Sequence, residues 1–99
     1  MRRSFILTYA KSLGTTEQVK EWADKSPLVI TWRYEMWESI FLISEHSADK
    51  LCEDLIKTFG RNCRFIICEY EEDKGKCQGL LTPDSWHFLR EKVHKKSTT

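Results

Sequence analysis

The chain has 99 residues, of which 40% are hydrophobic and 31% charged, and these values are typical of one folded domain, residues 1–99. Its 16 Lys and Arg against 15 Asp and Glu leave a net charge of +1, which excludes a strong overall attraction to nucleic acid or to anionic lipid. No apolar run reaches about eighteen residues, so the sequence predicts no transmembrane helix.

The first third of the chain predicts a strand followed by a helix. Residues 4–10 are mainly apolar, and a run of about six is too short for the core of a signal peptide, so we expect a strand and a cytoplasmic protein. Thr15 and Gln18 have the spacing of a capping box, which predicts the start of helix one. Pro27 predicts its end, because the residue before a proline avoids the helical region.

The middle of the chain predicts a hairpin and a second helix. Residues 28–34 are rich in β-branched and aromatic side chains, and after a turn at residues 35–36 a third strand extends to Ser44. Ser47 is a good N-cap, apolar residues recur at helical spacing over 48–59, and Gly60 is a typical C-terminal residue.

The last third predicts a fourth strand at residues 64–70, an exposed charged loop at 71–76 and a short edge strand at 79–81. Pro83, next to Thr82, predicts the first turn of a last helix with an apolar stripe that includes Trp86 and Leu89. Residues 92–99 are predicted to form a flexible basic tail.

The four cysteines have irregular spacing without a C-x-x-C motif, so we expect free thiols and predict neither a metal site nor a cofactor. Cys52 and Cys68 lie on apolar stripes and are predicted to be buried, whereas Cys63 and Cys77 are predicted to be exposed.

The two most apolar strands have no polar side. In residues 40–43 and 65–68 alternate side chains point to opposite faces, so both faces of the sheet are apolar. Two crossover helices can cover one face, and we expect a second copy to cover the other. The predicted dimer interface consists of Ile40, Leu42, Ile66, Cys68 and Tyr70.

The β-α-β-β-α-β order predicts an α+β fold of the ferredoxin-like type, an antiparallel sheet with helices on one face, followed by the short edge strand and the C-terminal helix. The chain resembles the small Cas2-like proteins, more closely their SinR-like relatives and more distantly the VapD-type toxins. The segments that carry this resemblance are FILTY at 5–9, WESIFLI at 37–43, residues 48–59 and 64–69, and GLLTPDSW at 79–86.

The resemblance implies a homodimer in which the last strand can add to the sheet of the partner. It also implies, for the members with nuclease activity, an Asp at the end of strand one that binds a divalent metal. The matching residue here is Ala10, and a methyl group cannot supply the oxygen ligand that Mg²⁺ requires. We therefore expect a protein without catalytic activity.

Three residues remain as catalytic candidates. Glu35 and Glu38 flank the turn of the hairpin and would form an acidic pair across a dimer axis, while His46 precedes helix two beside Glu45. The aspartates, among them Asp24 and Asp54, are interpreted as caps or solvated surface.

Aromatic and basic residues alternate at 32–34, a pattern that can stack on bases and contact phosphate. The alternative is that these aromatics belong to the core and that the basic residues form an ordinary solvated surface. The candidates for nucleic-acid contact are Arg2, Arg3, Lys11, Trp32, Arg33, Arg61 and Arg64.

Three functions remain compatible with the sequence. The first is a non-catalytic Cas2-like dimer that serves as an interaction or nucleic-acid-binding module, with RNA or DNA as partner, in a prokaryotic defence or toxin-related system. The second is a metal-dependent endoribonuclease or deoxyribonuclease with displaced acids. The third is a small regulatory protein that binds another protein through the face of its sheet.

Overall fold

The computed structural model describes residues 1–71 and 77–92. None of the helices in this part of the chain has the length and apolarity needed to cross a bilayer. The elements are β1 (Arg3–Tyr9), α1 (Thr16–Lys25), β2 (Val29–Arg33), β3 (Ser39–Ser44), α2 (Ala48–Phe59), β4 (Phe65–Tyr70) and α3 (Pro83–Glu91).

The four strands form one antiparallel sheet in the order β2-β3-β1-β4. The α+β class, the antiparallel sheet and the β2–β3 hairpin predicted from the sequence are confirmed. The central strand β1 fixes the register on both sides, since Ile6 lies opposite Phe41 of β3 and opposite Cys68 of β4. Directly opposite residues point to the same side of an antiparallel sheet, so these three side chains share one face.

The predicted helix caps are present. The Thr15 hydroxyl accepts a hydrogen bond from the Gln18 N–H, and the Gln18 side chain accepts one from the Thr15 N–H at 2.8 Å. Ser47 caps α2, which ends at Gly60 with a φ of 86°, a region that favours glycine. The Thr82 hydroxyl accepts from the Ser85 N–H at the start of α3.

The first face of the sheet, which carries Phe5, Leu7 and Leu42, is covered by α1 and α2. Two aspartates hold the indoles of this core in place: the Nε1–H of Trp22 donates to Asp54 at 2.8 Å, and that of Trp32 donates to Asp24 at 2.7 Å. Asp24 is exposed, as expected for solvated surface, and Asp54 is half-buried. The sequence analysis missed that each is also an acceptor for a tryptophan.

The second face of the sheet is partly covered by α3. Phe41, Ile43 and Tyr70 form a small core with Phe88 and Leu89 of this helix. A second copy or another partner was expected to cover this face; part of the cover comes instead from the last helix, which lies back across the sheet. Its apolar stripe indicated an amphipathic helix but not the face against which it packs.

Two further expectations are corrected, and two others fall largely outside the described residues. Residues 79–81 are in no strand, and Leu80 is 99% exposed. Cys63 is buried and Cys68 is exposed, which reverses the prediction, while Cys52 and Cys77 are both half-buried. The predicted charged loop falls largely on residues 72–76 and the predicted tail on 93–99, which lie outside the described residues.

Candidate functional site

Part of the second face lies beyond α3, next to the edge of the sheet. We call the three exposed side chains there, Thr8, Ile66 and Cys68, the open strip. Thr8 lies directly opposite Ile66 in the β1–β4 pairing, and Cys68 lies two residues further along β4 on the same side. Ile66 is 61% exposed, which leaves a large apolar side chain in water at this position.

The structure separates the five predicted interface residues into three groups. Ile40 and Leu42 are 1% and 0% exposed beneath α1 and α2, so they cannot contact a second copy. Tyr70 is buried on the second face, with its ring centroid 6.4 Å from that of Trp86. Ile66 and Cys68 alone among the five are accessible. The predicted interface combined residues from opposite faces because the pattern of each strand does not reveal the register between strands.

Among the described residues, the outer edge of β4 has no strand partner. Within residues 1–71 and 77–92, β4 pairs with β1 alone. The Ala10 N–H donates to the Arg64 C=O at 2.9 Å, and because inward and outward backbone groups alternate along an antiparallel strand, the backbone groups of Phe65, Ile67 and Glu69 point outward. The strand contains no proline or lysine, the residues that commonly block an edge against pairing.

Glu35 is an anchor for α3. Its carboxylate accepts hydrogen bonds from the Thr82 N–H at 3.1 Å, from the Thr82 hydroxyl at 2.9 Å and from the Ser85 hydroxyl. The Ser85 hydrogen bond lowers the pKa of Glu35 most, and the Thr82 hydrogen bonds and the positive charge of Arg33 lower it further. A carboxylate at the start of a helix is also favoured by the helix dipole.

Glu35 and Glu38 have different surroundings within one molecule, and the acidic pair expected across a dimer axis stays a prediction. The Glu38 C=O accepts from the Tyr9 N–H, and its side chain lines a cavity beside the start of α1, whereas Glu35 is bound to α3. His46 is exposed, and its backbone N–H donates to Ser44. Among residues 1–71 and 77–92 no three His, Cys, Asp or Glu side chains are grouped as metal ligands.

Several of the residues predicted to contact nucleic acid have other roles. Trp32 is 3% exposed and belongs to the first face, so the prediction that it stacks on a base is wrong. The Arg33 side chain donates to the Ser85 hydroxyl at 2.8 Å. Arg3, which follows Arg2 at the start of β1, forms an ion pair with Glu69 at 2.7 Å; this hydrogen-bonded pair raises the pKa of Arg3 and lowers that of Glu69.

Basic residues remain exposed at the end of the sheet where β1 stops, which we call the β1 end. Lys11 follows β1, and Arg61 and Arg64 lie in the connection that leads into β4. The Arg64 N–H donates to the Ser12 hydroxyl at 3.1 Å, so the two connections lie side by side. Ala10, at the position where the resemblance implies a metal-binding Asp, lies in the same place and is exposed.

A cavity of about 530 Å³ opens beside the β1 end. Trp37, which is 85% exposed, belongs to its wall. The sequence analysis missed this tryptophan as a binding candidate; its position just after a hairpin turn was the available signal. The lining residues are Tyr9, Lys11, Gly14, Thr15, Thr16, Gln18, Tyr34, Trp37 and Glu38.

The chain matches no protein-family model, no curated protein and no solved structure.

Proposed function

We propose that this chain is a non-catalytic, Cas2-like or SinR-like interaction module with a ferredoxin-like fold, which forms a homodimer through the open part of its sheet. The β-α-β-β-α-β order, the central position of β1 and β3 and the packing of α1 and α2 on one face support the fold assignment. In the same proposal the protein works in the cytoplasm, where its free cysteines stay reduced. It serves there in a prokaryotic defence or toxin-related system.

The observation that carries the dimer is the exposure of Ile66 beside an unblocked edge strand. An open strand with outward N–H and C=O groups is a template for another strand. Pairing at this edge would satisfy the backbone groups of Phe65, Ile67 and Glu69 and would cover Ile66 at the same time. Because α3 already covers much of the second face, we expect pairing at the edge instead of packing between two complete faces.

A second copy suits this edge because β4 can pair with itself in an antiparallel arrangement around a two-fold axis. The outward residues Phe65, Ile67 and Glu69 would form the hydrogen-bonded pairs, and if all three pair within residues 65–71 the axis passes through either Ile67 or Cys68. With the axis through Ile67, Cys68 lies opposite Ile66 of the second copy. With the axis through Cys68, it lies opposite Cys68 of the second copy.

Light scattering over a range of protein concentrations tests the dimer. The wild type is expected to be a dimer and Ile66→Glu a monomer, because a charge at the pairing edge would be buried without a partner. Leu80→Glu is the matched control, since Leu80 is also an exposed aliphatic residue but lies outside β4. Circular dichroism melting establishes that both variants fold.

Two results would contradict the proposal. A wild type that stays monomeric at every concentration removes the homodimer and favours a different protein as the occupant of the open strip. A dimer that survives Ile66→Glu but dissociates with Leu80→Glu assigns the contact to residues 79–81, the segment that the resemblance implies can add to the partner's sheet.

Mild oxidation distinguishes the two registers. Facing residues of a non-hydrogen-bonded pair have Cα atoms about 4.5 Å apart, within the range of a disulfide. With the axis through Cys68, the wild type is expected to cross-link and Cys68→Ser to remain uncross-linked. With the axis through Ile67, cross-linking requires Ile66→Cys in addition to the native Cys68.

Binding of nucleic acid at the β1 end is a second candidate function, favoured by the exposed Lys11, Arg61 and Arg64. Labelled RNA and DNA should bind in a salt-dependent manner without divalent metal, and Arg64→Gln should weaken binding and reduce the salt slope by about one. Arg33→Gln is the control, because Arg33 is bonded to α3. Cleavage that requires Mg²⁺ or Mn²⁺ would instead support the endonuclease alternative.

A further inference from the structure

The exposed Trp37 forms part of an aromatic pocket that the dimer does not use. Trp37 is 85% exposed, whereas Trp22 and Trp32 are 5% and 3% exposed. Their indoles are hydrogen-bonded to aspartates. Burying an aromatic ring of this size is strongly favourable, so a ligand that covers Trp37 gains contact area. The cavity beside Trp37 supplies a place for such a ligand.

The walls of this pocket combine flat apolar surface with charge. Tyr34 and Trp37 belong to its lining, and Lys11 is an exposed cation at the same cavity. The Tyr34 ring also contacts Lys20, which is outside the pocket lining and lies 4.6 Å from the ring centroid. Glu38 supplies an anionic acceptor, which can bond an amino group of a base but would repel a phosphate.

The backbone around the pocket holds these groups in fixed positions. The Tyr9 N–H donates to the Glu38 C=O at 2.9 Å, and the Tyr9 hydroxyl donates to the Thr16 hydroxyl at 3.3 Å. These bonds join β1 to the β2–β3 connection and to the first turn of α1. The pocket is thus built from three separate parts of the chain, namely β1, the β2–β3 connection and the first turn of α1.

We infer that this pocket binds a nucleotide, with the base against Trp37 and the phosphate next to Lys11. Stacking on an aromatic ring tolerates any base, and lysine pairs with phosphate as a point charge. The ligand is either a free nucleotide or one unit of a single strand, since both present the same base and phosphate. The inference deepens the nucleic-acid candidate at the β1 end and does not depend on the dimer.

Titration calorimetry with mononucleotides and with single-stranded DNA and RNA decamers tests the inference. Trp37→Ala is expected to weaken binding about 5- to 150-fold, since stacking contributes about 1–3 kcal/mol per base. Lys11→Gln is expected to weaken binding about threefold and to reduce its dependence on salt. The matched controls Met36→Ala and Lys57→Gln, both at exposed positions outside the pocket lining, should bind within about twofold of the wild type.

If a DNA or RNA decamer binds much more tightly than a mononucleotide, the ligand is nucleic acid. If the two affinities are equal, the ligand is the free nucleotide. The inference is overturned if neither the mononucleotides nor the decamers bind at millimolar concentration. It is also overturned if Trp37→Ala and the control Met36→Ala both bind as tightly as the wild type. Ile66→Glu separates this result from the dimer, because a monomeric variant that still binds the mononucleotide leaves the pocket intact. Arg64→Gln separates it from the basic cluster, since it should weaken the decamers alone.

Discussion

The two faces of the sheet are covered by different means. On the first face Phe5, Leu7 and Leu42 are each 0% exposed beneath α1 and α2, helices of 10 and 12 residues. On the second face the cover within residues 1–71 and 77–92 comes from α3, a helix of 9 residues, and this part of the chain leaves the open strip exposed. The two faces differ in the area covered and in the bonds that hold the cover in place.

Polar bonds fasten α3 at both of its ends. Thr82 and Ser85, at its start, are bound by Glu35, and Ser85 is bound also by Arg33. Near its other end, the Leu89 C=O accepts from the Ser4 hydroxyl at 2.6 Å. The first face is therefore closed by two helices, whereas the helix on the second face is held by a smaller apolar core and by hydrogen bonds at its two ends. The second face also keeps exposed side chains at the open strip.

The largest expected difference between the faces is in the cost of removing a buried leucine. Leu42→Ala on the first face should lower the free energy of unfolding by about 3–5 kcal/mol, because two helices and the sheet cannot close around the cavity. Leu89→Ala, also at a 0% exposed residue, should cost about 2–3 kcal/mol, because the short α3 can shift toward the sheet. Urea denaturation at one fixed protein concentration measures both values.

Leu80→Ala is the control for these two variants, because Leu80 is 99% exposed and its truncation should leave the unfolding free energy nearly unchanged. Equal losses for Leu42→Ala and Leu89→Ala would show that α3 is as tightly packed as α1 and α2 and would contradict the comparison.

The next effect concerns the anchor of α3. Glu35→Gln should destabilise the protein by about 1 kcal/mol near neutral pH, because hydrogen bonds to a charged acceptor are replaced by weaker ones. In the folded protein the pKa of Glu35 is below the ordinary value of 4.5, so its contribution is complete above that pH and is lost as the pH falls through the lowered value. Denaturation curves on acidification should show the wild type approaching the variant.

Glu45→Gln is the matched control for this series, since Glu45 is exposed on the connection before α2. Glu69, whose pKa is lowered by the hydrogen bond from Arg3, titrates in all three proteins, and its contribution therefore cancels in the difference. A gap between wild type and Glu35→Gln that stays constant from neutral pH to strongly acidic pH would contradict the role of the carboxylate.

The smallest effect is expected at the other end of α3. Ser4→Ala removes the donor to the Leu89 C=O and should cost about 1 kcal/mol. Hydrogen exchange should increase in the last turn of α3 and remain unchanged in α1. Ser12→Ala, at an exposed serine, should leave the exchange of α3 as it is in the wild type.

The elements could be predicted from the sequence because their signals are local. The capping pair Thr15 and Gln18, the N-cap Ser47 and the glycine at residue 60 locate α1 and α2 within a residue or two. The first strand, expected at 4–10, occupies Arg3–Tyr9. Each of these features depends on residues a few positions apart, which the chain brings together in any folded conformation.

The candidate sites were harder to predict because exposure depends on distant residues. Trp32 and Trp37 are five positions apart in similar surroundings of charged and aromatic residues, yet one is 3% and the other 85% exposed. Cys63 and Cys68 show the same problem, since the prediction for each was wrong. Which residue is covered depends on the helix that lies above it, and local sequence does not contain that information.

The sequence by itself determined the class of fold, the antiparallel hairpin, the helix ends and the absence of an acid at the end of strand one, because these follow from side-chain periodicity, caps and residue identity. Only the tertiary structure decided which apolar residues remain in water. The pairing of β1 with both β3 and β4 assigned Ile66 and Cys68 to the second face, and the docking of α3 covered Tyr70 but not Ile66. Both depend on contacts between residues far apart in the chain.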